Sequence, residues 1–243
     1  MTSLDERGRA VISLLDRWPW DRRGVVIGGY AILAYGPPRY SDDIDIMIPN
    51  AAASRVRAWL KAEGFTRTER SVPNPENFEG EVERYGRGPV APDLLAGAVR
   101  DRDAKIDLPE KWISKNPRRE RLVTLSARTA GEIPVARPEA LWALKLQAGR
   151  PRDISDLCAI SDLPFDPNEV ASVFRGLLTD SLVAKLVSVR SGLNARKIYV
   201  DSLSRRQLGS PSDPANIRRG ERFVSTVDKI VTPLQAAWES APS

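Results

Sequence analysis

Asp43 and Asp45 stand two residues apart in the run Asp43-Ile44-Asp45-Ile46-Met47-Ile48. On a β-strand their carboxylates share one face, and Ile44, Ile46 and Ile48 share the other. Two carboxylates side by side repel each other unless a cation sits between them. On one strand face they can bridge two metal ions about 3.5–4 Å apart. Upstream, Gly28 and Gly29 follow the apolar run Val25-Val26-Ile27 and open a helix. Glycines let backbone N–H groups come close to a phosphate, and a helix N-terminus adds positive potential. The two features together predict a divalent-metal site beside a phosphate-binding turn. Asp42 falls on the opposite face of the strand and reads as a cap or surface residue.

Composition narrows the chemistry. The 243 residues include no histidine, which removes the usual zinc ligand, the Ser-His and Cys-His nucleophile pairs and the commonest general base. A metal here is expected to be hard and oxygen-bound, Mg²⁺ or Mn²⁺. A single cysteine, Cys158, excludes an internal disulfide framework and fits a reducing compartment. The stretch MTSLDERGRAV mixes acids with bases and lacks the apolar core of a signal peptide. No run approaches the ~18 apolar residues of a membrane span. The expectation is a soluble cytoplasmic protein with no membrane partner.

The elements that must position these residues follow from periodicity and punctuation. Helices are expected over 4–17, 29–35 and 51–63, the second stopped by Gly36-Pro37-Pro38 and the third by Gly64. Strands are expected over 24–28 and 42–48, over 65–72 and 78–86 around the turn-rich VPNPEN, and over 88–95, 120–126 and 131–136. Residues 96–118 read as a long polar loop with a short helix or strand. From Pro138 the pattern becomes helical, over 138–148, 152–161, 167–178, 180–191 and 216–238. The fold class is α+β, with a mixed domain over 1–136 and a helical domain over 137–243. Trp18, Trp20, Trp59, Trp112 and Trp142 read as packing residues.

The net charge of +5 is uneven. Lys185 to Ile230 holds ten bases and four acids, a balance of +6, which leaves the rest at −1. The bases come as Arg196-Lys197, Arg205-Arg206 and Arg218-Arg219, flanked by Arg190 and Arg222. Such a segment reads as a solvated helical surface or as a surface for a nucleic-acid backbone.

The block GGYAILAYGPPRYSDDIDI resembles the opening of the nucleotidyltransferase (DNA polymerase β-type) superfamily, in particular its AbiEii toxin-like branch. That branch carries a glycine pair, a helix, then Arg-x-Thr/Ser-x-Asp-Ile-Asp. Here these are Gly28, Gly29, Arg39, Ser41, Asp43 and Asp45. A second block, RPEALWALKLQAGRPRDISDL, resembles its downstream helical motif through Pro138, Glu139, Leu141, Lys145, Arg152, Asp153, Asp156 and Leu157. The resemblance covers about residues 20–160. It implies a nucleotidyltransferase-type mixed sheet flanked by helices, with Asp43 and Asp45 holding Mg²⁺ and the glycine pair cradling the triphosphate. It also implies that Lys145 faces the triphosphate and that Asp153 and Asp156 order Lys145 or the nucleotide. Without the resemblance, Lys145 reads as a snorkelling helix lysine and Asp153 as a helix N-cap.

The family's third carboxylate has two candidates. Asp93 in VAPDLLAG fits the pattern better, and Asp107 in AKIDLPE is the alternative. Pro92 departs from the pattern. So does Tyr30, which stands where many active members carry a serine.

The implied reaction is in-line attack of an acceptor hydroxyl on the α-phosphorus of a nucleoside triphosphate, releasing pyrophosphate. Catalytic residues would be Asp43, Asp45, Asp93 and Lys145. The nucleotide would meet Gly28, Gly29, Arg39, Ser41, Lys145, Asp153 and Asp156. The acceptor would be tRNA or other RNA, drawn by the basic segment, and a cognate antitoxin is a further expected partner. Three alternatives stand beside this reading: a catalytically weak relative that binds nucleotide or RNA, an aminoglycoside-type small-molecule nucleotidyltransferase, and a helical interaction protein.

Overall fold

The computed structural model describes residues 4–22, 24–36, 41, 43–71, 80–101, 103, 105–124, 129–194 and 213–241. They divide into two compact units, one of Met1–Arg100 with Asp107–Arg137 and the other of Asp101–Ile106 with Pro138–Ser243. No helix is long and apolar enough to cross a membrane among the described residues.

The first unit is a mixed sheet with helices. Its strands are β1 (Val25–Val26), β2 (Asp43–Ile48), β3 (Thr66–Ser71), β4 (Glu81–Gly86), β5 (Ala91–Ala96), β8 (Arg118–Val123) and β9 (Thr129–Val135). They lie in the order β3-β4-β5-β2-β1-β9-β8. β6 (Ala98–Asp101) and β7 (Ile106–Pro109) form a separate two-stranded sheet. The helices are α1 (Leu4–Arg17), α2 (Gly28–Tyr35), α3 (Asn50–Ala62) and the single turn α4 (Glu110–Ile113). α1 packs on β9, and α2 on β2 and β8.

The alternation of β2 does what its sequence requires. Ile44, Ile46 and Ile48 are fully buried, and they anchor the strand so that Asp43 and Asp45 emerge on the other face. β2 runs parallel to β5 and antiparallel to β1. Pro92 stands inside the sheet, opposite Ile44 of β2 and one residue from the Arg84–Asp93 pair at which the β4–β5 ladder stops. Trp18 meets the edge of Trp59 at 5.2 Å and lies 5.9 Å from Trp20, which ties the end of α1 to α3 by aromatic packing.

The second unit is helical, with α5 (Pro138–Ala148), α6 (Pro151–Ala159), α7 (Pro167–Arg175), α8 (Asp180–Asn194) and α9 (Pro214–Glu239). α5 is buried almost all round, which makes it the central helix. Its Trp142 stacks on Phe165 at 4.9 Å and lies 5.6 Å from Phe223 of α9. α7 and α9 start at Asp-Pro pairs: Asp166 and Asp213 each accept a backbone N–H two residues on, and proline occupies the first helical position.

Two expectations need correction. Residues 96–118 are not a long loop, since β6, β7, α4 and the start of β8 lie there. Their apolar residues are separated by charged ones, and the strands are too short to show a period. The strand expected over 24–28 is only Val25–Val26, because Gly28 already opens α2. VPNPEN and Asp42 lie outside the described residues.

Candidate active site

Register brings the acidic residues together. Asp45 of β2 sits directly beside Asp93 of β5, and Asp43 lies one pleat along on the same face. Ligand oxygens of Asp43, Asp45 and Asp93 all lie within 4.8 Å of one another. Asp43 and Asp45 are partly exposed and Asp93 is buried. Three carboxylates so close form an oxygen donor set suited to a hard divalent cation. Asp107 is elsewhere, on β7, where it pairs with Arg100 at 3.2 Å.

The glycine turn abuts this cluster. Gly28 has a φ of +64°, and a Cβ there would lie 1.8 Å from Oδ2 of Asp45. Only glycine satisfies both the backbone and the contact. The Ile27 N–H donates to the Asp45 carbonyl at 3.0 Å, which locks the turn to β2. Ile27, at the N-cap of α2, has no side-chain oxygen to cap the helix. The N-terminal amides of the helix therefore face the region of Asp45 without a local side-chain cap. Tyr30 is buried and its hydroxyl donates to the Ser41 carbonyl at 3.4 Å, so it braces the segment entering β2. Ser41 itself is buried. Arg39 lies outside the described residues.

Sequence reasoning missed Arg84. Its guanidinium donates from Nε to Oδ1 of Asp93 and from Nη2 to Oδ2, each at 2.9 Å. This fork-to-fork pair holds the arginine pKa above its ordinary value, chiefly through the hydrogen bond to Asp93 and its charge. The signal was present in Arg87-Gly88-Pro89-Val90. Arg87 and Val90 exchange backbone hydrogen bonds of 3.0 and 3.2 Å around that turn, and the resulting register sets Arg84 opposite Asp93.

The other face of β4 carries a separate charged group. Glu83 is buried and accepts from Arg57 Nε at 2.7 Å, from Arg67 and from Tyr85 at 2.9 Å. Burial alone raises its carboxyl, but those hydrogen bonds outweigh it and leave the pKa below the ordinary value. Burial and the Glu83 contact push the Tyr85 hydroxyl up to about 12.

In the helical unit, Lys145 of α5 is clamped by α6. Its Nζ lies 2.8 Å from Oδ1 of Asp153 and 2.9 Å from Oδ2 of Asp156. Arg150 adds a contact to Asp153 at 2.6 Å. All three members of the clamp are buried. Burial raises the Asp153 carboxyl, but the Arg150 hydrogen bond and the charge and hydrogen bond of Lys145 bring it below its ordinary value. Asp153 is not an N-cap, since that position is Arg150 and Asp153 is inside the first turn. Lys145 does not snorkel to water.

Several bases of the carboxy-terminal segment are engaged within their own unit. Lys185 meets Asp101 and Asp103, Arg190 meets Thr232 and Gln235, and Arg219 and Arg222 both meet Asp162. Arg218 and Lys229 are exposed on α9. Residues 195–212, with Arg196, Lys197, Arg205 and Arg206, lie outside the described ones.

Among solved structures, the chain is similar to JHP933 from Helicobacter pylori, with 13% identity and a TM-score of 0.40 over 99% of this chain and 97% of that one. It is also similar to the antibiotic-resistance factor ANT(2'')-Ia, with 14% identity and a TM-score of 0.37 over 96% of this chain and 100% of that one. No curated protein matches it significantly. The family described as "Nucleotidyl transferase AbiEii toxin, Type IV TA system" matches residues 13–216.

Proposed function

The chain belongs to the AbiEii nucleotidyltransferase toxin family and is a nucleotidyltransferase; from that premise we propose that it moves a nucleoside monophosphate from a nucleoside triphosphate to an acceptor hydroxyl at the Asp43–Asp45–Asp93 cluster. The observation that carries this reading is the convergence of three carboxylates on one sheet face, against a glycine that a side chain would push into Asp45. The donor set is all oxygen and the chain has no histidine, so the residues fit Mg²⁺ or Mn²⁺ held by Asp43, Asp45 and Asp93. When bound there, such an ion supplies positive charge for the phosphates and acidity for the attacking hydroxyl.

The chain's own residues divide the remaining work. Gly28, Gly29 and the α2 N-terminus offer backbone N–H groups to the phosphates. Arg39 and Ser41 stand with them as nucleotide contacts. Lys145, fixed by Asp153 and Asp156, is assigned to the charge of the triphosphate. In this reading residues 1–136 are the catalytic domain and 137–243 a helical domain. The acceptor is RNA, tRNA included, met by exposed bases such as Arg218 and Lys229 of the +6 segment. A cognate antitoxin is the expected protein partner.

Incubation with each α-³²P-labelled triphosphate, Mg²⁺ and total tRNA tests this. Label should enter RNA with the wild type and not with Asp43→Asn. Label entering a small-molecule acceptor but never RNA would move the acceptor to the aminoglycoside class. No transfer to any acceptor, with nucleotide still bound, would favour a binding role, which the occupied state of Asp93 makes the natural second reading.

A further inference from the structure

Arg84 occupies both oxygens of Asp93 at once. A planar guanidinium in this fork geometry takes the lone pairs that a chelating cation would use. The pair is asymmetric in exposure. The Asp93 side chain is 7% exposed and that of Arg84 48%, so the arginine is the member with room to move. It also has somewhere to go, because its Nη1 lies 3.4 Å from Oε2 of Glu69, an exposed carboxylate on β3.

We propose that Arg84 is a positioning residue that competes with the divalent cation for Asp93, so that Asp43 and Asp45 bind first and Asp93 joins only when Arg84 shifts onto Glu69. This rests on reading the acidic cluster as a metal site. Without the cation, the guanidinium keeps a buried carboxylate compensated beside two others, where an uncompensated one would be costly. With the cation, the same guanidinium becomes surplus at Asp93 and finds its second partner on the neighbouring strand. The site would then fill its metal positions in order.

The test is Mn²⁺ binding to the full chain without nucleotide, counted by the electron paramagnetic resonance of free Mn²⁺. Arg84→Gln should bind Mn²⁺ about 10-fold more tightly than wild type, because the cation no longer has to displace a charged hydrogen-bond donor from Asp93. Arg84→Lys, which keeps the charge but not the fork, should fall between them. Glu69→Gln should bind severalfold more weakly, because Arg84 loses its alternative partner. If Arg84→Gln does not fold, the Lys and Glu69 variants decide. Unchanged or weaker binding in the Arg84 variants, with wild-type binding abolished by Asp43→Asn, overturns the proposal and leaves the metal site standing. No Mn²⁺ binding by wild type or any variant overturns the metal site and the proposal with it. Mn²⁺ should also raise the melting temperature of Arg84→Gln more than that of wild type, whereas a purely structural arginine would lower both melts alike.

Discussion

The acidic cluster of the sheet and the lysine clamp of the helical unit both gather carboxylates, but they differ in burial and in charge. Taken as ionised, Asp43, Asp45, Asp93 and Arg84 sum to −2. Lys145, Arg150, Asp153 and Asp156 sum to zero. The balanced set joins α5 to α6 across the turn at Gly149, with Lys145, Asp153 and Asp156 buried and Arg150 exposed. In the proposed reading a divalent cation supplies further positive charge to the acidic set. The contrast distinguishes a lysine held in place by its own aspartates from a carboxylate cluster that is proposed to take a cation.

The largest effect that could break this contrast is on activity. Asp45→Asn should lower nucleotidyl transfer by at least about 10³-fold while changing urea stability less than the loss of Lys145 does. Lys145→Met should act chiefly on stability. It removes the buried ammonium that Asp153 and Asp156 share and should cost on the order of 3 kcal/mol in urea unfolding, partly recovered in Lys145→Met/Asp153→Asn/Asp156→Asn. If Lys145→Met unfolds like wild type, the clamp is not structural.

Gly28→Ala comes next. Its Cβ would meet Asp45 from a backbone with φ of +64°, so a loss of roughly 1–2 kcal/mol is expected together with weaker Mn²⁺ binding. The smallest effect is the pH dependence. The Asp153 carboxyl titrates below its ordinary value when folded. Its contribution is thus present above the unfolded pKa of about 3.9 and lost as pH falls through the lower folded value. Below about pH 4 wild type should lose stability more steeply than Asp153→Asn, and the two slopes should agree near neutrality. Parallel acid curves would show that Asp153 is not stabilised by its partners.

Much of this was readable in the residues. The alternation in β2 placed Asp43 and Asp45 on one face, and the glycine pair placed a turn beside them. Pro138 marked the start of the helices. What escaped depended on pairing across strands. Asp93 and Arg84 meet only through the registers of β5 with β2 and β4, which no local period encodes. The Arg87-Gly88-Pro89-Val90 turn, between the strands expected over 78–86 and 88–95, could have supplied one of them. Residues 96–118 hid two four-residue strands behind charged neighbours, with the turn between them carried by Lys105 at positive φ. The start of α9 at Pro214 was written in Asp213-Pro214, a cap and a first-turn proline, and was placed two residues late.

The central claim is that the acidic cluster takes a nucleoside triphosphate together with a divalent cation. Calorimetric titration of the full chain with each triphosphate, with and without Mg²⁺, tests it most directly beside Asp43→Ala/Asp45→Ala. The account predicts binding that requires Mg²⁺ and disappears in the double variant. Binding of no triphosphate by the folded wild type in Mg²⁺, or equal binding by the double variant, would contradict it.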